Sequence, residues 1–161
     1  MAAFGAELVE IHRWLRQELA DVREDVERYL DNRGGRPREL KAHCMAFCAA
    51  LNKHHTGEDA GAFPLLAREF PELRPLLTKM EEDHHLVTGL LQQFERVLSG
   101  ITADSNAAEV KRIRGELDGL TAILDSHFSF EERTIVTALN SLPTGHHSTT
   151  ELFGLDAHGQ G

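Results

Sequence analysis

Leu51-Asn52-Lys53-His54-His55-Thr56-Gly57-Glu58-Asp59-Ala60-Gly61-Ala62-Phe63-Pro64 is the stretch on which the reading of this chain turns. On a helix, His54 and Glu58 are four positions apart and leave the same face, so an imidazole and a carboxylate can reach one metal ion. The spacing recurs near the other end of the chain, in His127-Phe128-Ser129-Phe130-Glu131. One such pair is a common decoration of a solvated helix face. Two pairs, each embedded in an apolar stripe rather than opposite it, are not explained that way.

Outward from that stretch, four segments carry apolar residues at a helical period. The first runs from about Phe4 to Asp31, with Leu8, Ile11, Leu15, Leu19, Val22, Val26 and Tyr29 inward, and ends in Asn32-Arg33-Gly34-Gly35-Arg36-Pro37. The second starts near Pro37 and carries Phe47, Ala50, Leu51, His54, Glu58, Ala62 and Leu65. Pro64 lacks an amide donor, which predicts a kink or an end near Phe63. The third opens between Pro71 and Pro75 and continues through Leu77, Met80, His84, Val87, Leu91 and Leu98. A polar turn, Ser99 to Ser105, leads to the fourth, about Asn106 to Ser141, with Leu117, Leu120, Leu124, His127, Glu131, Ile135 and Ala138 on one face.

No run alternates as a strand does, and the linkers are short. The expected fold is therefore all-α, an up-down-up-down four-helix bundle over residues 1–141. Residues 142–161 are expected as a loosely ordered tail. In it, Leu152-Phe153-Gly154-Leu155 can dock as a small apolar plug, and His146, His147 and His158 are expected at the surface.

Composition narrows the function. With 161 residues the chain is most simply one domain, long enough for a substantial core. A net charge of −9 argues against a nucleic-acid surface, which needs clustered Lys and Arg. No apolar run approaches the roughly 20 residues of a bilayer span, and the first residues lack the basic and apolar blocks of a signal peptide, so a cytoplasmic protein is expected. Ten histidines are the anomaly, since histidine is the commonest metal ligand. Cys44 and Cys48 match neither a zinc knuckle nor a thioredoxin-type pair, and a reduced, partly buried pair is expected.

Counting residues from the turns brings the polar core residues to one level. His12 lies about twenty residues before the first turn and His54 to Glu58 about twenty after it, while Glu58 and His84 are equally far from the Pro71 turn. His127 fits less well, by about two helical turns, which a later helix start or a tilt would absorb. The candidate ligands are thus His12, His54, Glu58, His84, His127 and Glu131. Buried unpaired carboxylates cost several kcal/mol, and a cation removes that conflict. A mixed imidazole and carboxylate set suits iron better than zinc. His55 and Asp59 form another four-residue pair, rotated by about 100°, and are expected outside the ligand set or at the surface. His43, about 16 Å along the axis from His54, is expected to be a packed or hydrogen-bonded histidine.

These residues carry a resemblance. Ile11-His12-Arg13-Trp14-Leu15, His54-His55-Thr56-Gly57-Glu58-Asp59 followed by Phe63-Pro64, Asp83-His84, and His127-x-x-x-Glu131-Glu132 resemble the hemerythrin-like (HHE cation-binding) domain over residues 7 to 140. The resemblance implies a four-helix bundle holding two non-haem iron ions, oxo- or hydroxo-bridged, with dioxygen, peroxide or nitric oxide as small-molecule partners. One departure is informative: the oxygen-carrying hemerythrins have a second histidine four residues after that of the third helix, and here the position is Thr88. Four nitrogens, two bridging carboxylates and a bridging oxygen fill about ten of twelve positions around two ions, leaving about two open unless Glu81 supplies another donor.

More open positions favour redox chemistry, such as peroxide disproportionation or oxidation of a small substrate, with a possible electron-donor protein. Two other readings stand beside it. One is a reversible carrier or scavenger of oxygen or nitric oxide. The other is an iron or oxygen sensor whose tail meets a partner.

Overall fold

The computed structural model describes residues 3–31, 37–101, 106–143 and 145–157. The expected turn residues Asn32 to Arg36 and Thr102 to Ser105, and His158, lie outside the described residues. In chain order the helices are α1 (Phe4–Leu30), α2 (Pro37–Ala60), α3 (Ala62–Glu69), α4 (Arg74–Ser99), α5 (Ala107–Asn140) and α6 (Thr149–Phe153), with a 3₁₀ turn, Pro71–Leu73, leading into α4. α1 packs on α2 and α5, and α4 packs on the same two helices. The four long helices therefore close a ring in which sequence neighbours are spatial neighbours, as in an up-down-up-down bundle.

The stripes explain the packing. In α1 the buried residues Leu8, Ile11, His12, Leu15, Leu19, Val22 and Val26 recur at three and four positions. The same holds in α4 for Leu77, Met80, His84, Val87, Leu91, Phe94 and Leu98, and in α5 for Val110 through Leu139. α5 begins where the polar turn predicts, because the Asn106 side chain accepts a hydrogen bond from the Glu109 amide at 3.0 Å and satisfies one of the orphan donors of the first turn.

The break after α2 comes earlier than Pro64 suggests. It falls at Gly61, and Pro64 sits inside the first turn of α3, where an amide donor has no intrahelical acceptor to lose. Gly61 breaks the helix where another backbone crosses it: a methyl group there would lie 2.1 Å from the Glu151 carbonyl oxygen.

That crossing backbone is the tail, whose described residues 145–157 are folded rather than loosely ordered. Ser148 accepts from the Glu151 amide while Glu151 accepts from the Ser148 amide, a reciprocal cap that starts α6. Leu152, Phe153 and Leu155 are buried, and Thr149 donates to Glu7 of α1 at 2.6 Å. The apolar plug docks on α2. His146 is exposed and His147 half-buried.

The bundle has two unlike ends. Where α1 ends and α2 starts, and α4 ends and α5 starts, the interior holds Val22, Val26, Cys44, Phe94, Leu98 and Ile113. At the opposite end, beside the tail, it holds histidines and glutamates. Among the described residues no helix is long and apolar enough to cross a membrane.

Candidate metal centre

All four long helices deliver polar side chains to one depth. His12 comes from α1, His54, His55 and Glu58 from α2, His84 from α4, and His127 and Glu131 from α5; none is more than 4% exposed. The offset expected for His127 does not separate it from the others, since His84 Nε2 and His127 Nε2 lie 3.1 Å apart. α5 starts at Ala107, so a late helix start is not what absorbs the offset.

The groups form two sets, each with one potential ligand atom per residue within 4.8 Å of the others: His12, His54, Glu58 and Glu131, and His55, His84 and His127. The glutamates face both sets. Glu131 Oε1 is 3.2 Å from His12 Nε2, and its Oε2 is 3.2 Å from His127 Nε2 and 3.9 Å from His84 Nε2. Glu58 Oε1 is 3.3 Å from His54 Nε2 and 3.5 Å from His84 Nε2. Each carboxylate thus lies between imidazoles of different helices, as a bridging ligand would.

For His55 the surface expectation fails, whereas Asp59 stands behind a cluster histidine, His84, outside both sets. His55 is neither at the surface nor paired with Asp59: its ring stacks on His84 at 3.9 Å between centroids and meets His127 edge-on at 5.2 Å. The reason is the width of the buried face of α2, which packs on α1, α4 and α6. Leu40, Cys44, Phe47, Cys48, Leu51, His54, His55 and Glu58 are all buried. The signal was present in sequence, because Cys44, Cys48, Leu51 and His55 continue one row at spacings of four, three and four. Glu81 is half-buried and belongs to neither set.

The outward nitrogens of His12, His54 and His84 have hydrogen-bond partners, whereas that of His127 is buried without one and only faces a carboxylate. His12 Nδ1 lies 3.2 Å from Glu132 Oε1, which also accepts from Arg16 Nη1 at 3.3 Å. His84 Nδ1 donates to Asp59 at 2.8 Å, and His127 Nδ1 lies 3.5 Å from Asp83. His54 Nδ1 donates to the backbone carbonyl of Phe153 at 2.8 Å. Holding a proton on the outer nitrogen leaves the inner lone pair free, the usual arrangement behind metal-binding histidines. Phe128 stacks on the His12 ring and Phe63 on that of His84, walling the cluster with hydrocarbon.

The inward atoms are unsatisfied. His12 Nε2, His54 Nε2, His55 Nε2 and both oxygens of Glu58 and of Glu131 are buried without a hydrogen-bond partner. Burial, and then the adjacent Glu131 carboxylate, push the Glu58 carboxyl well above its ordinary range. Glu131 is held well below its range despite burial, because Glu58 and three imidazoles surround it. Burial also drives His54 down to about 3 and His55 well below its ordinary value. His84, although desolvated, is raised to about 9 by Asp59 and Glu131. Without a cation, the protein must keep a proton between two glutamates and leave lone pairs facing one another. A cation satisfies all of these atoms together, so the donor set fits a metal.

Away from this end, His43 is hydrogen-bonded to Asp25, as expected for a packed histidine. Cys44 and Cys48 are free, buried thiols raised to about 12 by desolvation.

Comparison with known proteins agrees with this geometry. Neither the curated proteins nor the solved structures yield a match to this chain. A family model does: that of the hemerythrin HHE cation binding domain matches residues 5–139, from the start of α1 to the end of α5. With a match over most of its length and a metal-competent cluster at the depth where the four helices meet, the chain belongs to the hemerythrin HHE cation-binding domain family.

Proposed function

We propose that this chain is a non-haem di-iron protein that binds dioxygen, peroxide or nitric oxide. One ion is assigned to His12 and His54, the other to His55, His84 and His127, with Glu58 and Glu131 shared between them. The observation that carries the reading is the pair of buried glutamates whose four oxygens lack hydrogen-bond partners and face imidazole nitrogens of all four helices. A purely nitrogen and oxygen donor set without cysteine favours iron over structural zinc. When bound, two iron ions supply a Lewis-acidic, redox-active seat for a small molecule.

The residues of the chain do the remaining work. Glu132, Asp59 and the Phe153 carbonyl aim three of the imidazoles. Phe63 and Phe128 keep the surroundings dry, which strengthens every charge interaction inside. Burial of every donor limits access to molecules of a few atoms.

His55 changes the balance between binding and turnover. As a fifth nitrogen donor it would offset Thr88, so that two bound ions would keep fewer positions open than the other six residues alone would leave. Fewer open positions would favour reversible capture of a diatomic molecule over oxidation of an organic substrate. Peroxide disproportionation, which needs no outside reductant, is the second reading. It is favoured by a groove of about 410 Å³ bounded by Lys79, Asp83 and Phe130 that reaches His127.

Metal analysis after anaerobic loading should give about two irons per chain; a value near zero contradicts the assignment. Mixing the reduced protein with oxygen in a stopped-flow spectrometer then separates the readings. An absorption change that degassing reverses identifies binding. Continuous consumption of oxygen or peroxide identifies an enzyme.

A further inference from the structure

Of the cluster's five histidines, His12 and His84 are hydrogen-bonded from behind by carboxylates of the bundle itself, and His54 by the tail. His54 Nδ1 is held by the Phe153 carbonyl, 99 residues away in sequence. That carbonyl is available because α6 stops there: it is among the last of its helix, with no amide ahead to bond it. The stop is made by Gly154, whose φ of 76° is left-handed and whose amide returns to the Thr150 carbonyl at 2.9 Å.

The seat for the tail backbone is carved into α2 between His54 and Glu58. A methyl group at Gly57 would fall 2.2 Å from the Gly154 nitrogen, and one at Gly154 would fall 2.0 Å from the Lys53 carbonyl oxygen. Gly57 and Gly61, four positions apart, thus let the tail backbone lie directly on the helix that carries His54 and Glu58. Buried Leu152, Phe153 and Leu155 hold it there, and the Thr149 contact to Glu7 ties it to α1.

We infer that residues 148–155 form a clasp that positions His54, so that docking of the tail and occupancy of the His12 and His54 metal position are coupled. The inference rests on the two-ion reading above. By linkage the coupling runs both ways: an ion on His54 holds the tail down, and a lifted tail weakens that ion. Phe153 acts through its main-chain oxygen, and the trio His55, His84 and His127 has no contact with it among the described hydrogen bonds. The effect should therefore fall on one ion and spare the other.

The test uses the full chain, ferrous iron under anaerobic conditions, and two variants that lift the tail from opposite sides, Gly57→Ala and Gly154→Ala. Gly89→Ala is the control, a helical glycine with nothing within 4 Å of an added methyl. Competition with a chelator should show one iron held as in the wild type and the other about 10- to 100-fold more weakly in both tail variants, the usual effect of losing a ligand-orienting partner. The control should match the wild type. Hydrogen exchange at the Leu152 and Gly154 amides should be slower in iron-loaded than in iron-free wild-type protein.

Equal weakening of both ions would mean a general packing role and would overturn the inference, as would wild-type retention of both ions in the two variants. Exchange at those amides that ignores iron in the wild type would also overturn it. Failure of the two-ion reading shows in the wild type alone, as uptake of fewer than about two irons, and removes the clasp's role with it.

Discussion

The two ends of this bundle are built from the same four helices on the same heptad-like stripes, yet one is a dry hydrocarbon core and the other a cage of unsatisfied donors. At the dry end Val22, Val26, Cys44, Phe94, Leu98 and Ile113 fill the interior. At the other, the same inward positions are occupied by five histidines and two glutamates, all nearly inaccessible. The comparison shows where stability and chemistry are separated: the apolar half supplies the free energy that the polar half spends. Buried polar groups without partners cost about 1–3 kcal/mol each in proteins, and buried charges more.

The contrast can be broken from either end. The largest effect belongs to the dry half. Phe94→Ala removes a fully buried ring and should lower the unfolding free energy by about 3–5 kcal/mol, read by urea denaturation, while iron per chain in the folded fraction stays at the wild-type value. A loss of iron from folded Phe94→Ala protein would mean that the halves are not independent.

The opposite sign is expected at the polar half. The double variant Glu58→Met, Glu131→Met replaces both carboxyls of the buried pair with groups of similar volume. It should raise metal-free stability by about 1–3 kcal/mol while at least one iron is lost. A destabilised metal-free variant would show that the site is not the burden argued above.

The smallest effect is alkaline. In the folded chain Cys44 and Cys48 titrate at about 12 against an ordinary 9, so between those values the unfolded chain releases protons that the folded one keeps. Stability from this source is complete below pH 9 and is lost as the pH rises, by about 1 kcal/mol per thiol at pH 10. Stability curves of a Cys44→Ala, Cys48→Ala double variant should be flatter over that range. Parallel curves would show that the thiols contribute nothing to alkaline unfolding.

Much of this architecture was legible from the chain alone, for identifiable reasons. The apolar residues of α1, α4 and α5 repeat cleanly at three and four, and Asn106 and Ser141 mark both ends of α5. Two four-residue spacings, His54 with Glu58 and His127 with Glu131, survive folding because they are internal to one helix. His55 escaped because a stripe drawn too narrow on α2 excluded it; its ring packs on His84 of α4 and His127 of α5. The tail's order was hidden for a different reason. Its partner is a pair of glycines, Gly57 in α2 and Gly61 just past its end, and glycine carries no hydropathy signal of a buried surface. The Gly61 break likewise follows from a backbone crossing that Pro64, the louder residue, concealed.

The Phe63 and Phe128 rings stacked on the histidines bear on kinetics as well as on energy. An ion seated behind them would depart when the elements around it open locally, so its residence time would follow that opening as well as its equilibrium affinity. Dilution into strong chelator should therefore empty the protein on the timescale of local opening, and loading would be fastest while the chain is still folding.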